Sequence, residues 1–176
     1  YDRKLVTAAL TNKLIQKRWI QGSPAYRQVV SWRVAQSYDF YQAESNLDSR
    51  RKEPYSDLRS DLKIVFDRLQ LYQRASYYPY QQVTNSSSSV RLLNRDGDYF
   101  QVAHQLSYND ISPGREVDPA KRTEEFTFTI RKNFSHLELL GAVVYDINPP
   151  DRGSRFKSYG YGAQIRLPGN CWYFDL

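Results

Sequence analysis

The sequence predicts an all-β fold of about ten antiparallel strands with the character of a transmembrane β-barrel wall. Three observations lead there. Apolar residues recur at every second position in segment after segment, and a two-residue period puts alternate side chains on opposite sides of a strand. Aromatic residues are abundant, with 15 Tyr, 8 Phe and 3 Trp. Tyr and Trp join an apolar ring to a polar handle, which suits boundaries between oil and water. Turn chemistry then divides the chain into short and long connections, as at the two rims of a membrane barrel.

Taken in order, the opening segment carries Val6, Leu10 and Leu14, a spacing that a strand and a helical face both accept. Gly22-Ser23-Pro24 ends it. From Val30 to Phe40, one face holds Val30, Trp32, Val34, Tyr38 and Phe40, and the other holds Ser31, Arg33, Ala35, Ser37 and Asp39. Ser45 to Ser56 is polar and charged and reads as the longest loop. Leu58, Leu62, Ile64 and Phe66 oppose Arg59, Asp61, Lys63 and Asp67, although Leu58, Leu62, Val65, Phe66 and Leu69 also fit a helical face. Leu71 to Tyr80 interleaves aromatic residues with Arg74 and ends on Tyr77, Tyr78 and Tyr80.

Asn85 with Ser86 to Ser89 reads as a polar link, and Asn94-Arg95-Asp96-Gly97-Asp98 contains an Asp-Gly hairpin signal. Phe100, Val102, Leu106 and Tyr108 oppose Gln101, Ala103, Gln105 and Ser107. After a longer loop at Ser112-Pro113-Gly114, Phe126, Phe128 and Ile130 oppose Thr127, Thr129 and Arg131. A tight turn at Lys132-Asn133-Phe134-Ser135 and a longer loop from Asn148 to Gly153 follow. Tyr159, Tyr161, Ala163, Ile165 and Leu167 finally oppose Ser158, Gly160, Gly162, Gln164 and Arg166. Enrichment in β-branched and aromatic residues favours strands throughout.

The 176 residues are read as one domain spanning 1–176, and a chain that starts at Tyr1 without a leader-like segment reads as a mature product or a fragment. No run of about 18 apolar residues is present, so a membrane-spanning helix is excluded. A mean hydropathy of -0.71 is compatible with alternating barrel strands. The net charge of +6 favours polyanionic partners such as nucleic acid or anionic lipid, while a solvated surface with surplus cations is the plainer reading.

No phosphate-binding loop, dinucleotide fingerprint or nucleophile elbow occurs. His104 lies on an apolar strand face and His136 beside a turn, neither with triad partners. Asp61, Asp67, Glu138 and Asp146 sit among Arg and Lys and read as members of a solvated or salt-bridged polar wall. No catalytic constellation emerges, so the chain is not expected to be an enzyme, and two His with one Cys supply neither a metal site nor a reason to expect a cofactor. Cys171, the one cysteine, is either a buried thiol or a disulfide partner for a segment outside this chain. A soluble all-β domain that stacks single-stranded nucleic acid on the interleaved aromatic and basic residues of Leu71 to Tyr80, or binds a partner protein, stays open beside the membrane reading.

Several segments, in this order, resemble the C-terminal barrel region of the LPS-assembly protein LptD family. They are Val6 to Leu14, Trp32 to Phe40, Tyr55 to Leu62, Tyr77-Tyr78-Pro79-Tyr80, Leu137 to Asp146, and Tyr159 to Gly162 followed by Cys171-Trp172. The resemblance implies an outer-membrane transport function. In that family, a periplasmic jellyroll domain passes lipopolysaccharide to a large barrel plugged by an LptE-type lipoprotein. The chain would then be the C-terminal part of that barrel, touching outer-membrane lipid outside and lipopolysaccharide inside. Val30, Trp32, Val34, Phe40, Phe126 and Phe128 would face lipid. Arg33, Asp39, Arg59, Asp61, Lys63, Arg74, Arg131 and Arg166 would line the lumen. Cys171 would be disulfide-bonded to a Cys in or next to the jellyroll domain. Another outer-membrane barrel, a channel or an adhesin, is the alternative membrane reading.

Overall fold

The computed structural model describes residues 4–44, 52–149, 153–166 and 173–175. The strands are β1 (Leu5–Ile20), β2 (Ser23–Asp39), β3 (Leu58–Val65), β4 (Leu69–Tyr78), β5 (Val83–Leu93), β6 (Tyr99–Tyr108), β7 (Arg122–Asn133), β8 (Leu137–Asp146), β9 (Phe156–Arg166) and β10 (Tyr173–Asp175). Nine of them run for eight residues or more, and β10 adds three residues. Each pairs antiparallel with its neighbours in sequence, giving one open sheet with β1 and β10 at its edges. Both segments whose spacing also suited a helix are strands. Helix among the described residues is confined to α1 (Phe40–Glu44) and one 3₁₀ turn at Pro119–Lys121.

Directly paired residues share a face, so the register assigns every strand position to one of two surfaces. One row across the sheet reads Leu14, Val30, Ile64, Leu71, Val90, Val102, Phe128, Val143 and Tyr159. The adjacent row on the other surface reads Lys13, Ser31, Lys63, Tyr72, Ser89, Ala103, Thr127, Val144 and Ser158. An apolar and a polar face thus extend from β1 to β9. No second layer among the described residues covers either. Among the described residues only Val29 and Val117 are buried apolar side chains, at 4% and 7% exposure, and no large side chain is fully enclosed. Most globular domains bury their apolar surface between two packed layers; this sheet leaves Leu10, Val90, Phe100, Phe128, Ile130, Tyr159 and Tyr161 exposed on one side.

The connections differ between the two rims. At one rim they are residues 21–22, 66–68, 94–98 and 134–136, and at the other 40–57, 79–82, 109–121 and 147–155. Gln21 (φ 50) and Gly22 (φ 80) both adopt positive φ, as a two-residue hairpin turn that matches strand twist requires. At the long-loop rim Glu53 ties three connections together, accepting from Gln81 Nε2 at 2.8 Å and from the Gly114 amide at 2.9 Å. The Tyr80 hydroxyl accepts from the Tyr55 amide at 3.0 Å, and Tyr38 packs edge-on against both Phe40 and Tyr55.

The strands are staggered. The Lys63 to Ser158 row lies two residues from the short-turn end of β3 and eight from that end of β9. That is one residue of slip per strand. About 3.3 Å along for about 4.8 Å across inclines the strands by about 35° to the rim normal.

Several sequence expectations are corrected here. Asn85 to Ser89 is not a link but the middle of β5, paired with β4 on one side and β6 on the other. Phe40 is not a strand residue. β2 stops at Asp39, whose carboxylate accepts from the Tyr41 and Gln42 amides at 2.9 and 3.3 Å and so caps α1. Asp39, paired with Leu5, thus closes the polar face of β2 at the rim and caps α1 as well. Val29 is an extra residue in β2, since Leu14 pairs with Val30 while Ile15 pairs with Gln28. Beyond this bulge the β1–β2 hairpin projects about six residues, roughly 20 Å, past the end of β3. Its patterning also inverts: Ile15, Trp19 and Tyr26 lie on the surface that is polar elsewhere.

Candidate functional site

The polar face is the surface on which charged and hydroxyl groups converge. Its central row crosses the sheet as Thr11, Arg33, Asp61, Arg74, Ser87, Gln105, Glu125 and Asp146. A row nearer the long-loop rim adds Ala35, Arg59, Ser76, Asn85, Ser107 and Thr123. Alternation does this locally: each strand places Arg, Lys, Ser or Gln between apolar residues, and in-register pairing stacks them into ladders.

Ion pairs organise the ladders. Arg74 Nε donates to Asp61 at 2.7 Å and Arg59 Nε to Asp57 at 2.7 Å. On the far side of the sheet Arg131 Nη2 donates to Glu138 at 2.5 Å. Lys157 bonds Glu125 and lies 3.8 Å from Asp146, a side chain only 7% exposed. Tyr99 lies between Arg91 and Arg131, whose guanidinium carbons are 4.6 and 6.0 Å from the ring centre. A cleft of about 520 Å³ opens beside β2, β3 and β4, lined by Arg33, Arg59, Arg74, Ser37, Ser56 and Ser76 among others.

Of the residues expected on the polar wall, Arg33, Arg59, Asp61, Lys63 and Arg74 share one neighbourhood on β2, β3 and β4. Arg131 shares their face, but on β7, within a separate pair. The Arg166 side chain and the whole of Cys171 lie outside the described residues. Val30, Trp32, Val34, Phe126 and Phe128 are on the opposite, apolar face. Trp32 Nε1 donates there to Ser60 Oγ at 3.0 Å. That face also carries polar residues, Asn12, Ser60, Gln73, Ser86 and Ser88 among them, and on it Glu124 accepts from Asn148 Nδ2 at 2.9 Å and lies 3.2 Å from His104 Nε2.

Sequence reasoning did not identify Lys13, the Lys157 cluster or the anchor of the projecting hairpin. In that anchor Arg18 donates twice to Asp67, at 2.8 and 2.9 Å, and Arg27 once at 2.6 Å. These hydrogen bonds, Arg18's foremost, hold the Asp67 carboxyl below its ordinary value. At the β5–β6 turn, the Lys132 ammonium and then the Asn133 amide do the same for Asp98. No spacing in the sequence marks partners 49 residues apart; Lys13 alone was findable, by carrying the two-residue period back from Arg33's face.

Among the described residues no group of three or more His, Cys, Asp or Glu side chains is arranged to hold a metal. No helix among them is long and apolar enough to cross a membrane, which says nothing of strands. No protein-family model and no curated protein matches the chain.

Proposed function

We propose that the chain is a section of the wall of an outer-membrane β-barrel of the LPS-assembly LptD type, lining the path by which lipopolysaccharide reaches the outer leaflet. The observation that carries the reading is the uncovered apolar face, continuous from Leu10 and Leu14 on β1 to Tyr159 and Tyr161 on β9. An apolar surface of that extent in water drives association or aggregation; hydrocarbon as its solvent removes the cost. A single layer then needs no packed interior, because lipid covers one face and a wet lumen the other.

Two further features support a barrel. The strand inclination of about 35° matches what closure demands, and connections are short at one rim and mostly long at the other. The open edges at β1 and β10 leave backbone donors and acceptors that lipid cannot satisfy, so further strands would complete the ring. In this reading the partners are outer-membrane lipid, lipopolysaccharide, an LptE-type lipoprotein within the lumen and a periplasmic jellyroll domain of the same protein. The LptD assignment rests on the ordered resemblance from Val6 to Cys171-Trp172.

In-cell photocrosslinking tests it. A photoreactive residue at Ser89 or Gln105, on the polar face, should trap lipopolysaccharide, whereas one at Val90 should trap only phospholipid. Absence of lipopolysaccharide from every polar-face position would contradict the transport role.

A further inference from the structure

We propose that the polar face of β1 to β4 holds a binding site for phosphate groups carried on a saccharide, centred on Arg33 with Lys13 and Lys63 beside it. The inference rests on the barrel-wall reading and assigns the anionic part of the transported glycolipid to one side of the wall. Lys13 and Lys63 are the two register partners of Ser31, one on each side, and Arg33 is the next residue on the same face of β2. Three cations therefore surround one small hydroxyl residue.

None of the three forms an ion pair among the described residues. Asp61, the carboxylate opposite Arg33, is taken by Arg74 at 2.7 Å, and Asp57 is taken by Arg59 at 2.7 Å. Across this quarter of the face Lys13, Arg33, Arg59, Lys63 and Arg74 stand against Asp57 and Asp61. On β7 to β9 the carboxylates Glu125, Glu138 and Asp146 each stand within 4 Å of a cation, Arg131 or Lys157. Uncompensated like charges repel, and an anion that sits between them relieves the repulsion.

The lining of the neighbouring cleft selects the rest of the ligand. Its 520 Å³ suits a disaccharide-sized group, and the hydroxyl residues Thr7, Ser37, Ser56 and Ser76 are among its lining. Arg33, Arg59 and Arg74 line the same space together with Asp57 and Asp61, which engage Arg59 and Arg74 and leave Arg33 the guanidinium without a described ion pair; such a fork matches phosphate oxygens. No aromatic ring lines the cleft. The one ring beside the cations, Tyr72, is the register partner of Lys63, whose ammonium lies 5.6 Å from its centre, and a single ring already facing a cation is no platform for the successive bases of single-stranded nucleic acid. Phosphate monoester on carbohydrate is the chemistry that hydroxyls and arginines together recognise.

The test uses the full-length protein in phosphatidylcholine vesicles, with insertion first measured by protease protection. Calorimetric titration then compares a bisphosphorylated glucosamine disaccharide, its dephosphorylated form and inorganic phosphate. The bisphosphorylated form should bind at least about tenfold tighter than either. Arg33→Gln should weaken it by about tenfold, the triple change Lys13→Gln, Arg33→Gln and Lys63→Gln should abolish it, and Arg33→Lys should keep most of it. Arg115→Gln, on an exposed loop, should change nothing, and circular dichroism should show every variant as β-rich as the parent. Inserted protein that binds phosphorylated and dephosphorylated disaccharide equally, or a triple variant that binds as the parent does, overturns the site and leaves the wall reading standing. Competition by inorganic phosphate at equal concentration overturns the saccharide part. Protein that fails to insert overturns the wall reading and the site with it.

Discussion

The apolar and polar faces of the sheet share one backbone ladder and lack a covering layer equally, yet they are built of opposite chemistry. Along β6, Phe100, Val102 and Leu106 project to one side and Gln101, Ala103 and Gln105 to the other. In a soluble sandwich the apolar side would be interior and the polar side wet, so burial would separate them. Here burial hardly does, and on the proposed reading the difference reflects the surroundings of each face. A fold without an interior is thus stabilised by its ladder of hydrogen bonds and by what solvates each surface.

The largest expected effect comes from swapping the chemistry of adjacent positions. Val102→Arg should cost about 2–4 kcal/mol in folding from lipid bilayers, and Ala103→Arg less than about 1 kcal/mol. Urea titration in vesicles reads both, and equal costs would break the assignment of faces. Next, Lys157→Gln leaves Glu125 and the buried Asp146 without their shared cation. That should cost about 1–3 kcal/mol in the same titration, whereas Arg33→Gln, with no ion pair to lose, should cost little. A smaller effect is expected at Tyr161, 88% exposed on the apolar face. If, as proposed, lipid covers that face, Tyr161→Ala should cost about 1–2 kcal/mol in a bilayer and Gln105→Ala almost nothing.

How much of this contrast the sequence discloses depends on the strand. Phe126, Phe128 and Ile130 against Thr127, Thr129 and Arg131 mark both β7 and its faces, because alternation survives unbroken. β5 is invisible to that test. Five consecutive small polar residues, Asn85 to Ser89, carry no alternation, and the segment is extended because β4 and β6 pair with it on both sides. β2 runs out at Asp39 because a capping carboxylate offers the next amides a helical turn, a signal that the alternation reaching Phe40 conceals. The neighbours of Arg33 were legible in part. Arg59, Asp61, Lys63 and Arg74 follow from face assignment, but the pairing that occupies Asp61 and frees Arg33 depends on register, which no single strand encodes.

The smallest effect concerns acid. The folded Asp67 carboxyl titrates below its ordinary 3.8, so the hold of Arg18 and Arg27 on the projecting hairpin is fully present above that value. It is lost as pH falls through the lower folded value. Protease sensitivity between Ile15 and Gln28 should rise only below about pH 4, and Asp67→Asn should bring that sensitivity to neutral pH while leaving β3 to β9 unchanged.

The most direct measurement of what solvates each face is spin-label accessibility along β6. Nitroxides placed singly from Phe100 to Leu106, in a Cys171→Ser background in bilayers, are exposed in turn to oxygen, which partitions into lipid, and to a water-soluble nickel chelate. Oxygen collisions should peak at 100, 102 and 106 and nickel collisions at 101, 103 and 105, a two-residue alternation in opposite phase. Nickel access on both faces, or no alternation at all, would contradict a wall with lipid on one side and water on the other.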